Sequence, residues 1–505
     1  MLATLSLAVE HLLHWQVIVA LLIGSIGGVI IGAIPGVGPA VAIAILLPAT
    51  FSMEPLVGLT LLLGIYGSSM YGGSLPAILI NTPGTAVNAL TTYDGYPMSR
   101  RGEALRALGL AYGASFFSAI FSILVLILLA PVLARVAPMF GSREIFLAAL
   151  LGIVLVIVAH KGQMAAAGMM AGFGILLQSV GMEPVTYTMR YTFGLDWLTS
   201  GLDLIVVVLG LFAISQAFVL MVEPESAPDA QPVTGSMARA IGEVLRFKRV
   251  ALTGSSYGVL MGMIPGVGEF TAQFLSYTTA RRFSKDPDMF GKGSPEGLVA
   301  SESANNAVPA AAMIPLLALG IPGEALTAMM LSVFYVHNVV PGPNLFQNEL
   351  DFVYALYLAL ILLNIIVILW MLVSSNLLIH LIRVPTRFLG MGTMILSFVG
   401  IYSLRNSAVD CLVAAGFGVF GLIVKRLNLP VVPIILGMVL GNIMEVKLRA
   451  SAARIEGPLD FVSRPISALL VVAIVLIVIQ AVRGTIRDWP DAGSDDAGHS
   501  QQPTT

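Results

Sequence analysis

Charge is what this chain has least of. Asp, Glu, Lys and Arg make up 11% of its 505 residues, against about 25% in ordinary soluble domains. So few charges cannot keep a globule of this size wetted, and most of the exterior must face lipid tails. The net charge of −2 excludes a nucleic-acid partner, because there is no basic excess to neutralise phosphates. A single cysteine, Cys411, excludes an internal disulfide, a CxxC pair and a thiolate zinc site. Six histidines are scattered with no HExxH or comparable spacing, so no metal site is expected. There is no GxSxG, no GxGD-type aspartate pair and no carboxylate–histidine cluster, so neither an enzyme nor a bound cofactor is expected. Basic residues are missing altogether before Arg100, which leaves no n-region for a cleavable signal.

What fills the chain instead is apolar. Residues of that kind reach 57%, and the 51 glycines bring the total to about two-thirds, where soluble domains run about 45–50%. Apolar runs able to cover a bilayer core lie near 15–34, 56–72, 107–130, 144–159, 163–181, 202–222, 251–264, 308–335, 352–373, 388–403, 407–424 and 466–483. The expected fold is an all-α polytopic membrane protein with about 10–14 membrane segments, some of them broken or re-entrant. Residues 2–16 read as an interfacial helix, or as the first turns of a longer span. Polar stretches mark a cytoplasmic linker at 223–236, a loop at 281–297 and a disordered tail at 485–505.

An internal repeat organises the rest. Gly28, Gly32 and IPGVG at 34–38 recur 230 residues later as Gly258, Gly262 and IPGVG at 264–268. Leu75-Pro76 and Thr82-Pro83-Gly84 recur at an offset of 239 as Ile314-Pro315 and Ile321-Pro322-Gly323. This sets a first membrane repeat at 1–222 and a second at 237–484. Their basic loops alternate: Arg100, Arg101 and Arg106 follow the second break of the first copy, whereas Arg281, Arg282, Lys285 and Lys292 lie between the breaks of the second. Basic loops mark the cytoplasmic side, so the two copies are expected to be inverted. Toward the C-terminus Lys425, Arg426, Lys447, Arg449, Arg454 and Arg464 all read as cytoplasmic. That requires 430–444 to be re-entrant or interfacial, and it puts the tail outside against the mild objection of Arg483 and Arg487.

Each of the four breaks puts Pro and Gly inside an apolar segment. Backbone groups released there cost several kcal/mol apiece unless they line a polar cavity or are buried in protein, and breaks paired between inverted halves point to a midplane binding site. The candidates at the first pair are Pro35, Gly36, Gly38, Ser74, Asn81, Thr82, Pro83, Gly84 and Thr85. At the second they are Pro265, Gly266, Gly268, Ser303, Asn305, Asn306, Gly320, Pro322 and Gly323. Asn305 and Asn306 also fit helix capping, and Glu302 a first-turn carboxylate. No basic residue lies in any break, so an anion would be held by helix N-termini and by Asn or Ser donors, while carbonyls at other half-helix ends suit Na⁺. An inside-negative potential opposes each entering negative charge by ~2.3 kcal/mol per 100 mV, which implies symport with Na⁺ or H⁺. Asp94, Glu269, Glu302 and Glu324 are the candidates for carrying a proton.

The blocks GAIPGVGPAVAIAILLPATF (32–51), YGGSLPAILINTPGTAVNALTTYDGYPM (71–98), IPGVGEFTAQFLSY (264–277), FGKGSPEGLVASESANNAVPAAAMIPLLALGIPGEALTAMML (290–331) and PGPNLF (341–346) resemble the large membrane subunit of the tripartite tricarboxylate transporters. The resemblance implies the transport core of a bacterial inner-membrane system importing an organic carboxylate. Its implied partners are a small membrane subunit and a periplasmic solute-binding protein. It places Pro35, Gly36, Gly38, Asn81, Pro83, Gly84, Asp94, Pro265, Gly266, Gly268, Glu302, Asn305, Asn306, Pro322 and Gly323 at the family's motif positions. The chain departs at Ala310 and Ala311, where a Gly pair is expected and where the change would narrow the cavity, and at Asn338, where Gly is common. A non-transporting membrane scaffold or sensor for the solute-binding protein is the alternative, with an intramembrane enzyme third.

Overall fold

The computed structural model describes residues 2–34, 38–160, 162–183, 187–222, 236–381, 386–452 and 457–487. Pro35 and Gly36, all of the linker but Ser236, and the tail beyond Arg487 lie outside them. Among the described residues nine helices are long and apolar enough to cross a membrane, and the strands are one two-residue pair, β1 (Gly181–Met182) with β2 (Met189–Arg190). The chain is an all-α, multi-pass membrane protein.

The helices of the first half are α1 (Leu2–Leu13), α2 (Trp15–Gly32), α3 (Gly38–Thr50), α4 (Pro55–Ile80), α5 (Ala89–Arg100), α6 (Ala104–Val136), α7 (Ser142–Ala159) and α8 (Met164–Gln178). Its last span joins α9 (Leu204–Val208) to α10 (Ser215–Val222) through a π-helical turn at Leu209–Ile214. The second half begins with the short α11 (Met237–Glu243). It continues through α12 (Lys248–Gly262), α13 (Gly268–Phe283), α14 (Pro295–Leu319), α15 (Ala325–Val336) and α16 (Pro343–Asn348). It closes with α17 (Leu350–Leu381), α18 (Thr386–Arg405), α19 (Ala408–Arg426), α20 (Val432–Ala452) and α21 (Pro465–Arg487).

The predicted breaks separate α2 from α3, α4 from α5, α12 from α13 and α14 from α15. They share local geometry position for position. Asn81 (φ 55°) and Gly320 (φ 69°) end α4 and α14 in the left-handed region, and Gly38 (φ 64°) and Gly268 (φ 67°) open α3 and α13 there. The amide of Thr82 bonds to Pro76 O and that of Ile321 to Pro315 O, both at 3.3 Å. A Cβ on Gly84 would sit 2.1 Å from Gly32 O, and one on Gly323 2.9 Å from Gly262 O. The glycines therefore answer to backbone-on-backbone contact inside each half, a common use of small residues between membrane helices.

The helices that carry the second break, α4 and α14, form the centre. Every residue of α14 from Gly297 to Ala318 is buried, as is nearly all of α4. The halves interleave: α6 of the first packs along α12 and α14 of the second, and α17 of the second along α2 and α4 of the first. On one face Arg101 donates to the carbonyls of Lys292 (2.9 Å) and Gly293 (2.7 Å), so the two basic loops meet. At the other, His337 lies 3.2 Å from Thr50 O.

One alternative is decided and one expectation changes. The N-terminal segment is a separate helix ending at Leu13, with His14 outside helical geometry; it lies along α17 and is not the start of the α2 span. Of the segment expected to be re-entrant or interfacial, residues 432–444 are continuous helix with no re-entrant break. They belong to α20, one unbroken helix of 21 residues and so ~30 Å long, which runs beside α7 and α8. Its far end pairs with the loop carrying the β-strands, through Arg190–Glu445 (2.6 Å) and Arg449–Glu183 (3.4 Å). The Arg190 guanidinium is pushed up from its ordinary value by the hydrogen bond to Glu445. Lys425 and Arg426 close α19 just before α20, and Lys447 and Arg449 lie in its last turns, where Arg449 pairs with Glu445 (3.1 Å) and Glu183 (3.4 Å).

Candidate functional site

The breaks converge on one cavity of about 640 Å³, within the ~300–1,000 Å³ usual for small-molecule sites. Its wall takes Gly38–Val41 from the first turn of α3, Gly268–Phe270 from α13, and Ala325 and Leu326 from α15. Pro83–Thr85 and Val87 line it on the way into α5. Three helices thus point their N-terminal ends at the space, where backbone N–H groups and the helix dipole favour an anion.

Of the sequence candidates, Gly38, Pro83, Gly84, Thr85, Gly266, Gly268, Glu269 and Glu324 line this cavity. Glu324 stands at the N-cap of α15 and closes a capping box with Thr327; its Oε1 is buried without a hydrogen-bond partner among the described residues. Glu269 lies in the first turn of α13 and accepts a long 3.4 Å bond from Tyr66 Oη. Gly266 N donates to Gly323 O (2.8 Å), which ties the two second-half breaks together.

Other candidates sit elsewhere. Asn81 and Thr82 are exposed at the cap of α4; Gly320, Pro322 and Gly323 are buried in the equivalent second-half break, and Pro265 packs against Gly152 of α7. Ser303 turns back onto Val299 O. Glu302 is two turns inside α14, fully buried, not in its first turn, and Asn305 and Asn306 are also internal and cap nothing. Glu302 Oε1 accepts from Ser74 (2.9 Å) and Thr91 (2.5 Å), and Oε2 from Ser115 (3.1 Å). Asn306 donates to Ser115 Oγ (2.6 Å); both polar atoms of the Asn305 side chain are buried without a partner among the described residues. The network reaches the cavity wall through Ser74, which accepts from Asn88 Nδ2 (3.2 Å), and Asn88, whose Oδ1 accepts from Thr85 (2.5 Å). Asp94 is a clasp outside the cavity: its Oδ1 takes the amides of Gly291 (2.9 Å), Gly293 (2.9 Å) and Ser294 (2.7 Å), and Oδ2 the Tyr277 hydroxyl (2.8 Å).

The departures from the family pattern have local explanations. Ala310 and Ala311 do not line the cavity and so do not narrow it; Ala311 packs on Gly262 of α12. Asn338 adopts φ 57°, a left-handed conformation that Asn tolerates better than most residues.

The cavity also holds residues that the sequence gave no reason to place there: His160, Phe212, Gln216, Lys425 and Val432. Lys425 corrects the expectation that no cation reaches the breaks. It closes an apolar run, where it looked like a loop charge, and only the packing of α19 against the π-helical turn brings it in.

The profile of the tripartite tricarboxylate transporter TctA family matches residues 18–436. Among curated proteins, the chain is 33% identical over 493 residues to an uncharacterised 52.8 kDa protein in the TAR-I ttuC′ 3′ region of Agrobacterium vitis, covering 97% of this chain and 98% of that one. It is 32% identical over 235 residues to an uncharacterised protein in the TAR-II ttuC′ 3′ region of the same organism, covering 46% of this chain and 97% of that one. No solved structure matches it. The chain belongs to the tripartite tricarboxylate transporter TctA family.

Proposed function

We propose that this protein is the transport core of a three-component secondary transporter in a bacterial inner membrane. It takes an organic carboxylate from a periplasmic solute-binding protein, works with a small membrane subunit, and moves its substrate inward with Na⁺ or H⁺. The observation that carries this reading is the convergence of three helix N-termini from both halves on one cavity, an arrangement suited to an anion. Glu269 and Glu324 line the same wall, and their charges would repel an entering carboxylate unless Na⁺ or H⁺ neutralised them. Coupling then follows from electrostatics: the cation must be present for the anion to bind, and the pair crosses with less charge than the anion alone. The shared break geometry and the meeting of the basic loops support two inverted repeats, with the broken helices moving together as one body against the remainder.

The test is uptake into proteoliposomes holding all three components, with Na⁺ and pH gradients imposed separately on a panel of di- and tricarboxylates. Gradient-driven accumulation is expected. A complex that binds the loaded solute receptor and accumulates nothing is a scaffold, and transport falls.

A further inference from the structure

We propose that Lys425 is the residue that receives a carboxylate of the substrate, and that Gln216 positions it. The inference rests on the transport reading and names a side chain that determines which anions the cavity accepts.

The argument begins with close packing. A Cβ on Gly210 would meet Phe417 Cβ at 2.5 Å, one on Gly418 would meet Ile214 Cγ2 at 2.4 Å, and one on Gly421 would meet Leu211 O at 2.9 Å. These glycines let α19 lie directly on the π-helical turn. That turn, in which the Ser215 amide reaches back five residues to Gly210 O, carries one extra residue relative to an α-helix. Everything after it, Gln216 included, is rotated by roughly 100°, and Phe212 within the turn and Gln216 beyond it both line the cavity. Lys425 is one turn beyond Gly421 and meets Gln216 there, Nζ donating to Oε1 at 2.8 Å.

That contact is with a neutral oxygen. Among the described residues Lys425 is the only Lys or Arg lining the cavity, and no carboxylate lies within ion-pair distance of Nζ, although Glu269 and Glu324 share the wall. An ammonium drawn into protein without a counter-charge is costly, and pairing recovers that cost. The amide oxygen fixes where the ammonium points without neutralising it. A substrate carboxylate supplies the missing charge. A second carboxylate on the same molecule reaches the N-terminal ends of α3 and α13 across the cavity, so the favoured class is a compact anion with two or more carboxylates.

The experiment compares citrate and succinate with their monoamides, which lack one carboxylate each. It uses the assembled transporter carrying Lys425→Met, Lys425→Arg or Gln216→Leu, after monodisperse elution confirms folding. For Lys425→Met the KM for citrate and succinate should rise about 30-fold or more, while KM for a monoamide that the wild type transports changes less than about 3-fold. Lys425→Arg should recover most of the loss, and Gln216→Leu should raise KM several-fold with Vmax nearly unchanged. Equal losses for parent acid and monoamide, or an unchanged KM, would overturn the assignment of Lys425 and leave transport standing. Absence of accumulation by the wild type overturns the transport reading itself.

Discussion

Pro39 and Thr85 in the first half correspond, at the repeat offsets, to Glu269 and Glu324 in the second, and all four line the cavity. Leu63, in the middle of α4, corresponds in the same way to Glu302 in the middle of α14. The backbone around these positions is alike down to the left-handed residues and the glycine contacts, so the shared frame explains how the cavity is built. The differences explain what it can hold. Among the described residues that line the cavity, acidic groups stand on second-half helices, with Pro39 and Thr85 opposite, and under the transport reading proposed above this makes the second-half side the one suited to a coupling cation.

The largest effect should come from erasing that asymmetry. Glu269→Gln with Glu324→Gln is expected to lower gradient-driven uptake at least about 100-fold, because a neutral amide cannot hold the coupling cation's charge; Thr85→Ala should cost less than about 10-fold. Initial rates in proteoliposomes decide, and equal losses would show that the two sides do the same work. Next is Glu302→Leu, which makes α14 resemble α4 and leaves Ser74, Thr91 and Ser115 without their acceptor. Each buried donor so stranded costs about 1–3 kcal/mol, and the melting temperature in detergent should fall well below that of Glu302→Gln.

A finer comparison uses the glycines. Gly84→Ala presses a methyl to 2.1 Å from a carbonyl oxygen, whereas Gly323→Ala leaves 2.9 Å. Overpacking typically costs about 1–3 kcal/mol, so the first-half variant should melt lower, and identical melting would mean the first half relaxes freely. The smallest effect belongs to the linker side. Arg106 of α6 bonds to Glu243 of α11 at 2.6 and 3.0 Å and holds the Glu243 carboxyl below its usual range. Its contribution is therefore present above the carboxylate's ordinary value of about 4.3 and is lost as pH falls through the depressed one. Glu243→Gln should cost about 0.2–1 kcal/mol near neutrality, and the difference from wild type should vanish in acid.

Much of this architecture was legible because the bilayer limits the choices: long apolar runs become spans, and Pro-Gly breaks become cavity walls. Gly84, Gly266 and Glu324 could be placed from sequence because each lies in a break. Glu302 and Asn306 could not, since a polar residue inside an otherwise apolar helix reveals neither its direction nor its partners. Lys425 was misread for the converse reason: a lysine at the end of an apolar run looks alike whether it reaches water or a cavity. The π-helical turn that meets it leaves no mark in LGLFAI, a run as compatible with regular helix. The continuity of α20 was hidden by its charged end, whose partners Arg190 and Glu183 lie over 200 residues away in the sequence.

Interleaving of α6 and α17 sets a rule for how this molecule can be divided. Each half lends a long helix to the other's core, so cutting the chain at its linker yields two fragments that each lack a wall and expose a seam of glycine. Neither would make a vessel alone; if expressed together, they would have to insert side by side and trade those helices before either could shelter a solute.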